Sequence, residues 1–213
     1  MTASTSDPLA RALLPAVMHG LNNATQLLSA LNALAGRDDD DGWLEKRSAD
    51  LARTSREIED LGYVLAVLAA ASGADLFGER REPRGLELVL DALASALRLT
   101  GAGLAPAPPS LPRLTTPVGE GWELPWAVGT LLWASATDLP PDAILPWSLE
   151  RRPQGWILTA TCPAGPSLAA AAGRVHARLA GAGLESRTDG WSLSLPAAWL
   201  RPGEGLAPPV EVS

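Results

Sequence analysis

PLARALLPAVMHGLNNATQLLSALNALA, residues 8–35, reads as one long amphipathic helix, with His19-Gly20-Leu21-Asn22-Asn23 near its middle. At about 100° of rotation per residue, Leu13, Val17, Leu21, Ala24, Leu28 and Leu31 gather on one side. His19, Asn22, Asn23 and Gln26 gather on the other. Asp7 stands where an N-cap is needed, Pro8 fits the first helical position, and Gly36 stops the run. Pro15 removes a backbone hydrogen bond one turn before His19 and is expected to bend the helix there. A histidine on the solvent side is a nucleophile that can accept a phosphoryl group. An amide one turn away can position that group or a water. His19 and Asn23 are therefore the candidate catalytic residues, and Asn22 and Gln26 the candidate partner contacts. The plain alternative is a surface histidine on an amphipathic helix, with Asn23 a solvent-facing amide and Asn22 polar filler.

The totals narrow the classes. The chain has 213 residues, room for one large domain or two small ones, and its 46% hydrophobic content supplies a packed core. A net charge of −7, with basic residues that are nearly all Arg and scattered, argues against nucleic acid as partner. The one cysteine, Cys162, excludes an internal disulfide framework and fits a reducing compartment; as a small residue in an apolar run it is expected to be buried. Residues 1–7 lack a basic region followed by an apolar one, so no signal peptide is expected. The longest apolar stretch, 61–72, falls far short of the ~20 residues that span a bilayer. A soluble, cytoplasmic protein is the expectation.

Residues 37–42, with four consecutive Asp, read as a solvated loop without the spaced ligands and closing Glu of a calcium loop. A second helix is expected over 43–72. In it Leu44, Leu51, Ile58 and Leu65 recur every seven residues, with Leu61 and Leu68 between them. Two long amphipathic helices joined by a short loop form an antiparallel hairpin. A hairpin alone buries little, so a homodimer with a four-helix bundle is expected. After Gly73 the character changes. Helices are expected over 86–99, 122–137 and 167–180, with Leu124, Val128, Leu131, Leu132 and Ser135 of the middle one near one face. Strands are expected over 144–150 and 156–161, and a closing hairpin at 184–188 and 191–195 around Asp189-Gly190. Residues 202–213 read as a disordered Pro- and Gly-rich tail. The fold class is α+β: a helical hairpin over 1–73, then a sheet with helices on one face over 74–201.

This layout resembles that of bacterial sensor histidine kinases. His19-Gly20-Leu21-Asn22-Asn23 resembles their phospho-acceptor box, commonly His-Glu-Leu-Asn-Asn-Pro, and 75–200 resembles their ATP-binding domain in element order, including Gly-Trp-Ser-Leu-Ser-Leu-Pro at 190–196. The resemblance implies a dimerisation and phosphotransfer hairpin followed by a Bergerat-like α/β sandwich. The departures matter more. In that family an acidic residue follows the histidine and resembles a general base; here it is Gly20, and the Pro of the box is Ala24. The helix that supplies a magnesium-binding Asn is matched by 122–137, which has none, and the chain has no Asn after Asn32. The Asp-x-Gly-x-Gly adenine loop should follow the 156–161 strand, where Cys162-Pro163-Ala164-Gly165-Pro166 stands instead. Neither a glycine-rich lid nor a P-loop is present.

A degenerate sandwich without ATP binding or autokinase activity is thus implied. The chain then looks like the histidine-kinase-like phosphotransferases of phosphorelays, which pass phosphoryl groups between the aspartates of receiver domains. That resemblance implies His19 as acceptor, response-regulator receiver domains as partners, Mg²⁺ on the receiver and no cofactor of the chain's own. The other readings are a phosphatase of a phosphorylated response regulator, with Asn23 orienting the water, and a non-catalytic dimeric docking module. Glu57-Ile58-Glu59-Asp60 forms an acidic face on the second helix that a docking groove could use. His176 has no acid or cysteine nearby in sequence and is expected to be structural or solvating. Trp122, Trp126 and Trp133 are spaced for a helix and are expected in the core.

Overall fold

The computed structural model describes residues 7–35, 43–73, 86–106, 114–115 and 122–202. The first helix, α1, spans Pro8–Ala35 as one helix through Pro15. Asp7 caps it: its Oδ1 accepts from the Leu9 amide at 2.8 Å, satisfying one of the orphan donors of the first turn. The second, α2, spans Trp43–Ala71 and packs along α1. The acidic loop at 37–42 and the tail from 203 lie outside the described residues.

The expected apolar side of α1 is the packed side. Leu13, Val17, Ala24 and Leu31 are buried, and Leu21 and Leu28 are half-buried. The seam of α2 is shifted from the seven-residue row. Leu51, Ile58, Leu61 and Leu65 are half-buried, while Thr54, Tyr63, Val64, Ala66, Val67, Leu68 and Ala71 are buried. The reason is tertiary. Near its C-terminal end α2 touches three helices, α1, α3 (Glu87–Leu99) and α4 (Glu123–Thr137), so burial there spreads round the helix instead of following one stripe.

After α3 come β1 (Gly103–Leu104) and β2 (Leu114–Thr115), then α4, β3 (Ile144–Leu145), β4 (Trp147–Arg152) and β5 (Gly155–Thr161). Helix α5 (Pro166–Arg178), β6 (Gly183–Arg187), β7 (Gly190–Pro196), a 3-10 turn over Ala197–Trp199 and β8 (Arg201–Pro202) complete the chain. Four strands form an antiparallel sheet in the order β4-β5-β7-β6. The expected 144–150 strand is two strands, β3 and β4, separated at Pro146, which has no amide hydrogen to give a ladder. β3 pairs in parallel with β1, away from the main sheet, and β2 pairs with β8. The closing hairpin turns at Thr188-Asp189, one residue earlier than expected, because Gly190 already pairs with Arg187 and Thr161. Gly190 sits at φ +156, where a Cβ would strike the Ala160 carbonyl.

One face of the sheet is apolar. Trp156, Leu158 and Ala160 alternate with less buried Ile157 and Thr159, and Leu193 and Leu195 lie beside them. Helices α4 and α5 cover this face, and the Trp191 indole donates to Ser135 Oγ of α4 at 2.7 Å. Helix α4 is more central than a one-face helix. Every residue from 124 to 132 is buried, because α4 has the sheet layer on one side and α1, α2 and α3 on the other. Trp126 is fully buried, with Trp122 and Trp133 half-buried against the core, and Cys162 is buried.

The foot of the hairpin belongs to this core. Leu9 and Leu13 of α1 are wholly buried beside α3 and α4. A Cβ at Gly129 would stand 3.0 Å from both Leu9 Cδ2 and Val89 Cγ1, so side chains of α1 and α3 pack directly onto the α4 backbone there. Two polar ties reinforce the junction. Asp7 Oδ2 accepts from the Trp126 indole at 2.9 Å, and Arg178 of α5 donates to the Ala71 carbonyl at 2.9 Å. The Arg178 guanidinium also lies over the rings of Trp122 and Trp126, 5.6 and 5.0 Å from their centroids.

Candidate functional site

Where α1 emerges from the shared core, a groove of about 1050 Å³ opens between α1, α2 and α3. Each helix contributes a row spaced by three and four residues. Ala16, Val17, His19 and Gly20 come from α1; Arg53, Arg56, Glu57, Asp60, Leu61 and Val64 come from α2; Leu88, Asp91, Ala92, Ser95, Arg98 and Leu99 come from α3. The floor is aliphatic, and the rim carries three arginines and three carboxylates. His19 is exposed on the α1 wall.

Its ring is held by a neighbour one turn on. Asn23 Nδ2 lies 3.2 Å from His19 Nε2. An amide nitrogen only donates, so in this arrangement Nε2 accepts and carries the ring's lone pair while Nδ1 bears the proton. That bond occupies the lone pair, so Asn23 must release Nε2 before it can attack phosphorus. Asn22 and Gln26 are exposed on the same side of α1 but outside the groove lining.

Gly20 lies against α2. A Cβ at this position would stand 3.0 Å from Leu61 Cδ1, so a side chain here would require the Leu61 tip to shift by a few tenths of an ångström. Charge reaches the groove from the other helices instead. Glu57 and Asp60 of the acidic α2 segment line it, while Ile58 is half-buried and Glu59 lies outside the lining. Glu87, at the start of α3, has a buried Oε2 with no hydrogen-bond partner among the described residues. Burial pushes its carboxyl up to about 7, against a hydrogen bond to its own backbone, and the charges of Asp91 and Asp60 add to the rise. Asp91 is raised too, first by burial and then by Asp60, with Arg98 opposing.

Among the described residues no cluster of His, Cys, Asp or Glu has the arrangement to hold a metal ion. No described helix is long and apolar enough to cross a membrane. His176 is exposed on α5. Helix α4, the one compared above with a magnesium-binding helix, buries only two polar side chains. The Ser135 hydroxyl is used up by the Leu131 carbonyl and the Trp191 indole, and Thr130 Oγ1 is enclosed.

Sequence reading missed Arg53, Arg56, Asp91 and Arg98. The rows are legible, since 53, 56, 57, 60, 61 and 64 share one face of a helix. Their destination is not, because nothing in α2 says that α3 will stand opposite.

No family model matches the chain, and no curated protein matches it. Solved structures do. A histidine kinase of Acinetobacter baumannii, AdeS, aligns at 16% identity over 84% of this chain and 98% of that one, with a TM-score of 0.38. A structure described as a bacterial phosphotransferase aligns at 11% identity over 87% of this chain and 94% of its own, with a TM-score of 0.35. The cytoplasmic segment of histidine kinase QseC aligns at 18% identity over 77% and 98%, with a TM-score of 0.33. These are likenesses of outline, and no residue's role is taken from them.

Proposed function

We propose that the chain is a histidine phosphotransferase of a two-component phosphorelay, in which His19 accepts a phosphoryl group from one receiver-domain aspartate and donates it to another. The observation that carries this reading is the exposed His19 Nε2, kept as an acceptor by Asn23 at the wall of a groove. In the forward step Nε2 forms a bond to phosphorus as the P–O bond to the aspartyl carboxylate breaks, and the carboxylate leaves on the receiver. The return step reverses this, and no water enters. Mg²⁺ held by the receiver offsets the charge in transfer, and the chain needs no cofactor of its own.

Two further observations support transfer without ATP. A kinase domain that carries nucleotide to a histidine must move relative to it. Here α3 and α4 share one core with the foot of α1, so such a swing would expose Leu9 and Leu13. Helix α4 also has no polar row for a nucleotide to reach. The α/β half is then a degenerate Bergerat-like sandwich that serves as a buttress. Asn22 and Gln26 stand on the exposed side, where a receiver would seat.

A second copy of the chain completes the bundle in this reading. Leu14 and Met18 of α1 are exposed at 46% and 45%, and with Leu21 and Leu28 they form a coiled-coil-spaced strip. On α2, Leu51, Ile58 and Leu65 are half-buried along a seven-residue row. Pairing these strips across a two-fold axis gives a four-helix homodimer.

The test is incubation with a phosphorylated receiver carrying ³²P. Acid-labile label should pass to the wild-type chain and none to His19→Gln. Release of free phosphate with no label on the chain, unaffected by His19→Gln and lost in Asn23→Ala, would favour the phosphatase reading. Neither label nor phosphate release would leave a docking module.

A further inference from the structure

We propose that Arg56 is the cation that neutralises the phosphoryl group carried on His19. This rests on the reading of His19 as phosphoryl acceptor and adds a second catalytic group from another helix. A phosphoryl group on Nε2 brings up to about two negative charges into the groove. The groove is balanced before it arrives, since Arg53, Arg56 and Arg98 face Glu57, Asp60 and Asp91. The added charge therefore needs a cation not already committed.

Two of the three arginines are engaged through a terminal nitrogen. Arg53 Nη2 donates to Asp50 Oδ1 at 3.0 Å, and Arg98 Nη2 to Ser95 Oγ at 3.0 Å. Among the described residues Arg56 is bonded through its Nε alone, in a long 3.3 Å bond to the Ala52 carbonyl one turn back in its own helix. Both of its terminal amines are left for an oxyanion, and they form the fork that matches two oxygens of one phosphoryl group. Its place along the hairpin also fits. Position 20 of α1 abuts Leu61 of α2. Arg56 lies five residues from Leu61 toward the loop end of the hairpin, about 7.5 Å of axial rise. That sets it level with Thr25, about 9 Å of axial rise beyond His19, a gap that an extended arginine and the imidazole can close between them. Releasing the weak bond to Ala52 frees the guanidinium to turn toward Nε2. Asn23 and Arg56 then divide the work: the amide orients the ring until it releases the lone pair for attack, and the guanidinium receives the charge.

The experiment loads the full chain with phosphoramidate, a small donor that needs no receiver. Nε2 attacks phosphorus, the P–N bond breaks and ammonia leaves. Phosphohistidine is followed by ³¹P NMR in wild type, Arg56→Gln, Arg56→Lys and, as a remote surface control, Arg187→Gln. Arg56→Gln should slow loading about tenfold, Arg56→Lys, which keeps the charge but loses the fork, should restore part of it, and Arg187→Gln should match wild type. The wild-type rate should also fall with added salt while that of Arg56→Gln hardly changes. Labelling of His19 in Arg56→Gln at the wild-type rate would overturn the role of Arg56 and leave His19 as acceptor. Failure of wild type to label at His19 would overturn both.

Discussion

The two halves of α1 have the same periodicity and opposite roles. From Leu9 to Val17 the helix is set among α2, α3 and α4, and Leu9 and Leu13 have no exposed surface. From Ala24 to Leu34 only part of it is covered, and Leu27 and Leu34 are exposed. His19 stands at the boundary. The foot is a structural anchor, and the outer half is largely open to solvent. The contrast shows how a side chain can be accessible yet fixed: His19 sits on the first turns beyond a buried mount.

If that division is right, substitutions at the foot act on stability and those beyond it on chemistry. Leu13→Ala should cost about 3 kcal/mol in denaturant unfolding, since it leaves a cavity where helices from both halves meet. A loss under 1 kcal/mol would mean that the hairpin is not anchored there. Asp7→Ala should cost about 2 kcal/mol, because one carboxylate both caps α1 and satisfies the buried Trp126 indole. Tryptophan fluorescence should change in the folded state with it.

Glu87 sharpens the boundary through pH. Its folded-state carboxyl titrates near 7, above the ordinary 4.5, so its ionisation is harder in the folded chain than in the unfolded one. Stability linked to this group is therefore complete below the unfolded value and lost as pH rises through about 7. Glu87→Gln should raise stability at pH 8 by roughly 1 kcal/mol, a figure reduced for its half-exposed position. It should leave stability at pH 5 nearly unchanged. Equal gains at both values would refute the assignment. At the small end, Asn22→Ala should move stability by less than about 0.5 kcal/mol, as expected of an exposed side chain without a structural bond. Any loss of transfer should then come from weaker receiver binding, seen as a raised KM with kcat kept.

How far these features were legible depended on whether they were local. The cap at Asp7, the span of α1 and the placement of His19, Asn22, Asn23 and Gln26 on one exposed side were readable, because each follows from neighbours within a turn or two. The row 44, 51, 58 and 65 was readable as a pattern, yet the most buried positions lie beside it, where α3 and α4 add their own contacts. The break at Pro146 and the one-residue shift of the last turn were missed for a similar reason. Strand ends are set by which partner supplies the ladder, and β3 leaves the main sheet to pair with β1.

The absence of an acid after His19 was plain from the letters; that position 20 faces Leu61 of α2 required the folded chain. The amino-acid order alone determined where the helices and strands run and which sides of them shun water, since both depend on short-range spacing. Only the tertiary structure decided that α3 would stand against the hairpin, anchoring one half of α1 and setting Arg56, Asp60 and Asp91 along the same groove as His19. Periodicity specifies that a face must be covered. Which element covers it is settled by the competition of all buried surfaces for one core.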